Sequence, residues 1–378
     1  MKKTCKILLV MSIAVLYVVA LPVCSQVANP ISKTIVQGLR FNPETFNSNG
    51  KAYKGAWLNV YSDPIVRSQV QGEFVAIRQS SHLSTISLLV SANQHLKWPV
   101  PAEAELQNLI NFLNDADAQG LQVILLVSTP CVIPNSAVPV GSPKVHVGGH
   151  HRGEVVNGVQ LYWDVAFCAD NSIELAQRWY GQILSSLSRG IKSPNVIAYF
   201  GLMGNPTLPF ATEMNVFYDD YPQLKFAQQY VARLVPYLRS QTVFKLGISL
   251  LPGFWSNDPT FQYSFLKNLK AAITFSSFDY LDITSSDQID ISAILNRVGS
   301  KNAPRIILSD FKYGESRKSQ AAVTSFHLAQ VRQHGLGGYW VWQYKDDPEL
   351  GNQGLGIRRS GFFGATGGWK TGVLAALP

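Results

Sequence analysis

Eight short apolar runs, separated for the most part by helical stretches, constrain the fold of this chain more than anything else in it. They are "GAWLNV" (55–60), "TISLLV" (85–90), "VILLV" (123–127), "VIAYFGL" (196–202), "FKLGISL" (244–250), "YLDIT" (280–284), "RIILSD" (305–310) and "GYWVWQY" (338–344). Several are apolar nearly throughout, as strands covered on both faces must be; a strand with one wet face would alternate. Between most of them, apolar residues recur at helical spacing. One such stretch runs from Ala102 to Ala118 and stops at Gly120 before "LQVILLV". Another runs from Asn171 to Arg189 and stops at Gly190, and a third runs from Lys318 to His334 ahead of "GLGGYWVW". Helix, glycine stop, buried strand is the pattern of βαβ units. Eight strands in this alternation predict an α/β protein of the (β/α)8 TIM barrel class, with its site at the C-terminal strand ends. An open doubly wound sheet fits the same periodicity. No glycine-rich phosphate loop follows the first run, which argues against a nucleotide-binding version. No linker or repeat divides the chain, so residues 26–378 are expected to form one barrel domain, and a hydrophobic content of 46% can fill its core.

Residues 1–25 read as a secretory signal peptide. Lys2, Lys3 and Lys6 form a basic start, Ile7 to Leu21 is apolar, and Val23-Cys24-Ser25 offers small residues for cleavage. That run of 15 residues is short of the roughly 20 a membrane helix needs, so no stable membrane insertion is expected. Acylation of Cys24 as a lipoprotein anchor is the other reading. The mature chain is expected to be a monomer, secreted or held in a periplasm or at the cell surface. Cleavage leaves 29 basic residues (32 − 3) against 24 acidic ones. The excess is spread out, with no run of five like charges, and so does not point to nucleic acid.

The longest insertion, residues 129–170, follows the third run and belongs on the active face, where long loops form lids and cleft walls. Cys131 and Cys168 bracket it. In an exported protein such a pair is expected to be bonded, and two free buried thiols are the alternative. The same insertion holds His146, His150, His151 and Glu154 in "HVGGHHRGE". Their spacing could seat zinc with a further ligand from elsewhere, but flanking glycines favour a polar loop tip, so no metal and no cofactor is expected.

Three stretches of the second half resemble the clan A glycoside hydrolases, the cellulase-like superfamily of secreted (β/α)8 enzymes. "VIAYFGLMGNP" is similar to a fourth strand that ends in Asn-Glu-Pro. "PRIILSDFKYG" is similar to a seventh strand that closes on Ser/Thr-Glu-Phe-Gly. "GLGGYWVWQYKDD", followed by "GLGIRRSGFFGATGGWK", is similar to an eighth strand with its sugar-stacking tryptophan and a glycine-rich, lysine-containing tail. The resemblance implies two glutamates, one donating a proton to the leaving oxygen and one attacking the sugar carbon, about 5–5.5 Å apart in retaining enzymes. Matched position by position, the acid/base becomes Asn205 and the nucleophile Asp310, while Gly204 stands for the asparagine before the acid. An amide neither gives nor takes a proton, and an aspartate is shorter than a glutamate by one C–C bond, about 1.5 Å. The standard two-glutamate mechanism is therefore absent.

Other carboxylates near the strand ends could replace the missing acid: Glu213, Asp219, Asp220, Asp287, Asp346 and Asp347. Each also reads as a solvated or helix-capping group. Asp282, inside its strand, reads as a polar contact toward a helix. The expected substrate is a polysaccharide or oligosaccharide. Trp342 has the strongest claim to bind it, because an indole offers a flat face to the C–H surface of a sugar. Strand alternation puts Trp340 on the same side as Trp342, with Tyr339 and Val341 opposite. Trp98, Trp163 and Trp255, in or beside loops, and Asp287 complete the expected binding set. Packing alone is the other reading of Trp340 and Trp342. Two functions stay open: a divergent hydrolase that keeps Asp310 and recruits its acid elsewhere, and a binding barrel that has lost catalysis. A metal-dependent hydrolase on the same barrel is a third. The last two strands are also similar to those of chitinase-like barrels, whose acidic fourth-strand motif this chain lacks.

Overall fold

The first strand is not where the apolar runs put it. Residues 55–60 were expected to open the barrel, but Trp57–Val60 instead turns as a 3-10 helix that leads into helix α1 (Pro64–Ser81). The reason lies just downstream. The Asp63 carboxylate accepts the N–H groups of Ile65 and Val66 at 2.8 and 3.4 Å, and Pro64 supplies a helical φ at the first turn. The strand is β1 (Val36–Arg40), "VQGLR", which alternates and therefore never reads as an apolar run. The structure, a computed structural model, describes residues 36–43, 45, 57–92, 95–128, 131–134, 152–156, 159–162, 170–202, 227–250, 274–284, 289–309, 320–341 and 370–377.

The other seven runs are strands. In chain order the described elements are β2 (Thr85–Ser91), α2 (Glu103–Ala118), β3 (Gln122–Ser128), β4 (Cys131–Pro134), β5 (Arg152–Val156) and β6 (Val159–Tyr162). They continue with α3 (Asp170–Gly190), β7 (Ile197–Leu202), α4 (Ala227–Gln241), β8 (Leu246–Leu250), β9 (Tyr280–Thr284) and α5 (Ile291–Val298). The last are β10 (Ile306–Ser309), α6 (Gln320–His334), β11 (Gly338–Val341) and the short α7 (Thr371–Leu374). Eight strands close a barrel in the order β1-β11-β10-β9-β8-β7-β3-β2, and all neighbours run parallel. The chain is a (β/α)8 TIM barrel. The insertion after β3 holds a separate antiparallel sheet, in the order β4-β6-β5.

Closure depends on glycine. β1 meets β11 with Val36 opposite Gly338 and Gly38 opposite Trp340. Gly338 has φ +146°, and a Cβ there would run into the backbone of Val36. A side chain at this position would therefore force the seam apart.

Alternation then sorts the side chains into two cores. Outward residues such as Leu39, Ile86, Leu125, Phe200, Leu281 and Tyr339 pack with the helices in one large cluster. Inward residues form a smaller one inside the barrel, built from Val36, Ile124, Leu126, Tyr199, Ile307 and Trp340. The helix layer also holds a polar clamp. Arg67 of α1 donates to both oxygens of Asp115 on α2 (2.6 and 2.8 Å), and the Tyr61 hydroxyl donates to the same carboxylate at 2.9 Å. Burial pushes Asp115 up, but the bonds from Arg67 and Tyr61 win and hold it below the usual carboxylate range.

Candidate functional site

Polar residues recur at every second position in strands that otherwise read as apolar. Thr85, Ser87 and Ser91 in β2, Ser249 in β8, Asp282 in β9 and Ser309 in β10 are all buried. Their phase turns them inward, because the intervening residues Ile86, Leu88, Val90, Ile248, Leu281, Ile283 and Leu308 belong to the helix-side core. Beside its apolar residues, the described part of the barrel lumen therefore carries these hydroxyls and the Asp282 carboxylate.

That carboxylate is Asp282, and its placement corrects the expectation that it faces a helix. It has no exposed surface. Its Oδ2 accepts the Tyr199 hydroxyl at 2.8 Å and the Trp340 indole N–H at 2.9 Å. Ser249 is its register partner on β8, and Ser309 lies two residues beyond its partner Ile307 on β10. These hydroxyls lie near enough to favour the charged form. Neither reaches Oδ1 in ordinary geometry, and among the described residues Oδ1 has no hydrogen-bond partner. Burial pushes Asp282 up to about 6, even though Ser309, Tyr199, Trp340 and Ser249 pull the other way. Burial, and the Asp282 charge after it, raise the Tyr199 hydroxyl as well.

The bulky lumen residues have room because their neighbours are glycines. A Cβ on Gly247 would stand 2.6 Å from the Tyr199 ring, and one on Gly38 would stand 3.3 Å from the Trp340 Cβ. Gly247→Ala must therefore push Tyr199 away from Asp282. It should destabilise the fold by about 1–3 kcal/mol, as overpacked cores do, measured by urea denaturation. In a Tyr199→Leu background the cost should largely vanish, and an equal cost in both backgrounds would rule out this steric cause.

Four of the residues expected from the sequence to form the site follow, in the sequence, the ends of described strands. Ser309 ends β10 one residue before Asp310, and Val341 ends β11 one residue before Trp342. Leu202 ends β7 three residues before Asn205, and Thr284 ends β9 three residues before Asp287. Asp310, Trp342, Asn205, Asp287, Trp255, Trp163 and Cys168 themselves lie outside the described residues, as do His146, His150 and His151. Cys131 opens β4, and Glu154 lies in β5.

Two of the expected tryptophans are described. Trp340 is 4% exposed and spends its N–H on Asp282, which places it inside the barrel. Trp98 is half-buried, with its ring 5.7 Å from that of Trp179 on α3, whose own N–H donates to the Lys97 carbonyl. The structure thus brings Trp340 together with Asp282, and sets Trp98 apart against a helix.

Sequence reasoning missed His95, just past the end of β2. It is 8% exposed, and its Nδ1 accepts the Ser91 N–H at 3.0 Å. An Nδ1 that accepts leaves the proton of the neutral ring on Nε2. Tyr199, Ser249 and Ser309 were missed too, although their phase in the strands was readable. Among the described residues no group of three His, Cys, Asp or Glu is placed to hold a metal ion. No helix among them is long and apolar enough to cross a membrane. Chemically, the described part of the barrel supplies a buried acid whose pKa burial raises to about 6, with donor groups on four other strands around it.

No protein-family model and no curated protein sequence matches this chain. In fold it is similar to solved glycoside hydrolases. One is an exo-β-1,4-mannosidase from Opitutaceae bacterium strain TAV5, with a TM-score of 0.54 and 12% identity. That match covers 90% of this chain and 58% of the mannosidase, so the chain spans little more than half of that protein. A second is a GH5_18 protein from Streptomyces cattleya solved in complex with Manβ1-4GlcNAc, with a TM-score of 0.56, 13% identity, and 90% and 78% of the two chains covered. A third is a GH5-4 broad-specificity endoglucanase from an uncultured bacterium, with a TM-score of 0.52, 11% identity, and 81% and 84% covered. At these identities the likeness is one of fold, and it is the fold that the strand-end motifs implied.

Proposed function

We propose that this protein acts on or binds polysaccharide at the C-terminal end of its barrel, with catalytic positions that depart from the two-glutamate pattern. One observation carries this reading. The two strands that run into Asp310 and Trp342, β10 and β11, are adjacent in the closed parallel barrel, as the glycan-site resemblance requires. A carboxylate and an aromatic platform leaving neighbouring strands suit a sugar ring stacked beside a charged group. Asn205 favours a second reading, a barrel that keeps the cleft without the proton donor. We place the protein outside the cytoplasm, after removal of residues 1–25, with Cys131 and Cys168 bonded.

The test is a screen of the purified protein against polysaccharides that records both product release and retention on insoluble material. Product release favours the enzyme, and retention without release favours the binder. Trp342→Ala should weaken glycan affinity by about 1–3 kcal/mol, the scale of a lost aromatic contact, while folding survives. Unchanged affinity in a folded Trp342→Ala protein would return that tryptophan to the core. No retention and no release on any glycan would end the reading.

A further inference from the structure

Among the described residues, Asp282 ties its own strand to two others that lead to the proposed site, β7 and β11. Its Oδ2 holds Trp340, two residues before Trp342 on the same strand. Ser309, which favours its charge, immediately precedes Asp310. Tyr199, its other donor, lies on β7, the strand that leads to Asn205. A carboxylate buried to 0% exposure is not needed to fill this space; an apolar group of the same size would avoid the cost of burying a charge. We propose that Asp282 is a positioning residue for the glycan site, fixing through Trp340 the strand that runs directly into Trp342. The proposal rests on the glycan reading above for its ligand, but not for the positioning itself.

The chemistry follows from the charge of the carboxylate. Ionised Asp282 only accepts, and in the structure the Tyr199 hydroxyl and the Trp340 N–H both donate to its Oδ2. A proton taken up from solvent on Oδ1 removes the charge. Hydrogen bonds to a charged acceptor are the stronger ones, so the ionised form holds the Trp340 N–H, and with it the strand that runs into Trp342, more tightly than the neutral form does. The titratable groups that bear on it are Tyr199 of β7 and, behind that ring at 5.3 Å, Tyr280 of its own strand. From β8, β10 and β11 it meets Ser249, Ser309 and Trp340, which do not titrate. Among the described cations, Lys245 just ahead of β8 donates to the Tyr280 hydroxyl at 3.2 Å, and Arg40 ends β1 two residues past Gly38, the partner of Trp340.

The experiment uses protein labelled with 5-fluorotryptophan, with the Trp342 fluorine resonance assigned by its loss in Trp342→Phe. In the wild type this resonance should titrate with a midpoint near 6, and in Asp282→Asn it should be flat. Tyr199→Phe removes one donor from the ionised form and should move the midpoint upward; it also serves if Asp282→Asn does not fold. Retention on the polysaccharide selected in the screen should be weaker at pH 5 than at pH 7.5 by roughly 3–10-fold, the scale of one hydrogen bond. Asp282→Asn should retain glycan weakly and equally at both pH values, although its fold is more stable at pH 7.5. A purely structural role would move stability and affinity in the same direction. A Trp342 resonance that stays still while Trp340 titrates overturns the proposal, and so does an unchanged titration in folded Asp282→Asn. If Trp342 titrates and no glycan is retained at any pH, the positioning stands and only the glycan reading falls.

Discussion

Raising the pH from 4 to 8 should cost the wild-type barrel stability that the Asp282→Asn variant keeps, on the order of 3 kcal/mol. The folded-state pKa of Asp282 is raised to about 6, whereas an unfolded aspartate titrates near 3.9. Below pH 4 both states hold the proton, and the contribution is fully present. Between 4 and 6 the unfolded chain releases its proton while the folded one keeps it, so stability falls as pH rises. Above 6 both are ionised and the loss is complete. An asparagine keeps an acceptor for Tyr199 and Trp340 and never has to carry a buried charge. Urea denaturation of both proteins across this range measures the effect. Taking their difference removes the opposing contribution of Asp115, whose lowered pKa adds stability as pH rises through a window below about 4. A difference that stays constant from pH 4 to 8 would show that Asp282 does not bury a charge.

The other large effect is expected at the proposed catalytic positions. If the barrel is a decayed retaining hydrolase, Asn205→Glu together with Asp310→Glu should restore both the proton donor and the reach of the nucleophile. A general acid contributes roughly 10²–10⁴-fold, and misplacement by roughly 1 Å can cost about 10²-fold. The two changes should act non-additively, because acid and nucleophile serve one transition state. The assay needs a natural glycosidic bond, since an activated aryl leaving group barely uses the acid. Hydrolysis gained by the double variant alone would mark a binder descended from an enzyme. Hydrolysis by the wild type that Asp310→Asn abolishes would mark a divergent enzyme instead.

The strands that could be read in the sequence are the ones buried on both faces. "VILLV" and "IILS" announce themselves because nothing in them touches water, and the helix stop at Gly120, with φ +69°, announces the strand after it. β1 was missed for a physical reason. Its lumen positions are Val36, Gly38 and Arg40, and a glycine chosen to clear Thr85 and Trp340 lowers apolar content where strand detection relies on it. "GAWLNV" was read as a strand because Trp57 and Leu58 are apolar, yet both belong to the helix-side core, where Trp57 packs beside Phe41 and against Phe112 of α2. Asp282 was assigned the wrong side because one strand's alternation does not say which face is the lumen. Only the partners on β7 and β11 decide that, and they lie 83 and 58 residues away. The candidate site was legible as order and spacing at strand ends, through the family resemblance. The hydroxyl lining beneath it was legible as a period of two in "TISLLVS", where Thr85, Ser87 and Ser91 share a phase.

The seam between β1 and β11 also sets when this molecule can finish folding. Val36 pairs with Gly338, so the last rung joins residues 302 positions apart (338 − 36). Every other parallel pair in the ring can form from segments already synthesised together, but this one waits until almost the whole chain is available. Until then both strands present unpaired edges, the state in which parallel sheets are slow to form and prone to aggregate. The barrel thus behaves as a clasp whose two halves are made first and last. Anything that holds either of these two strands apart, a ribosome at the C-terminal end or an export channel included, holds the whole ring open.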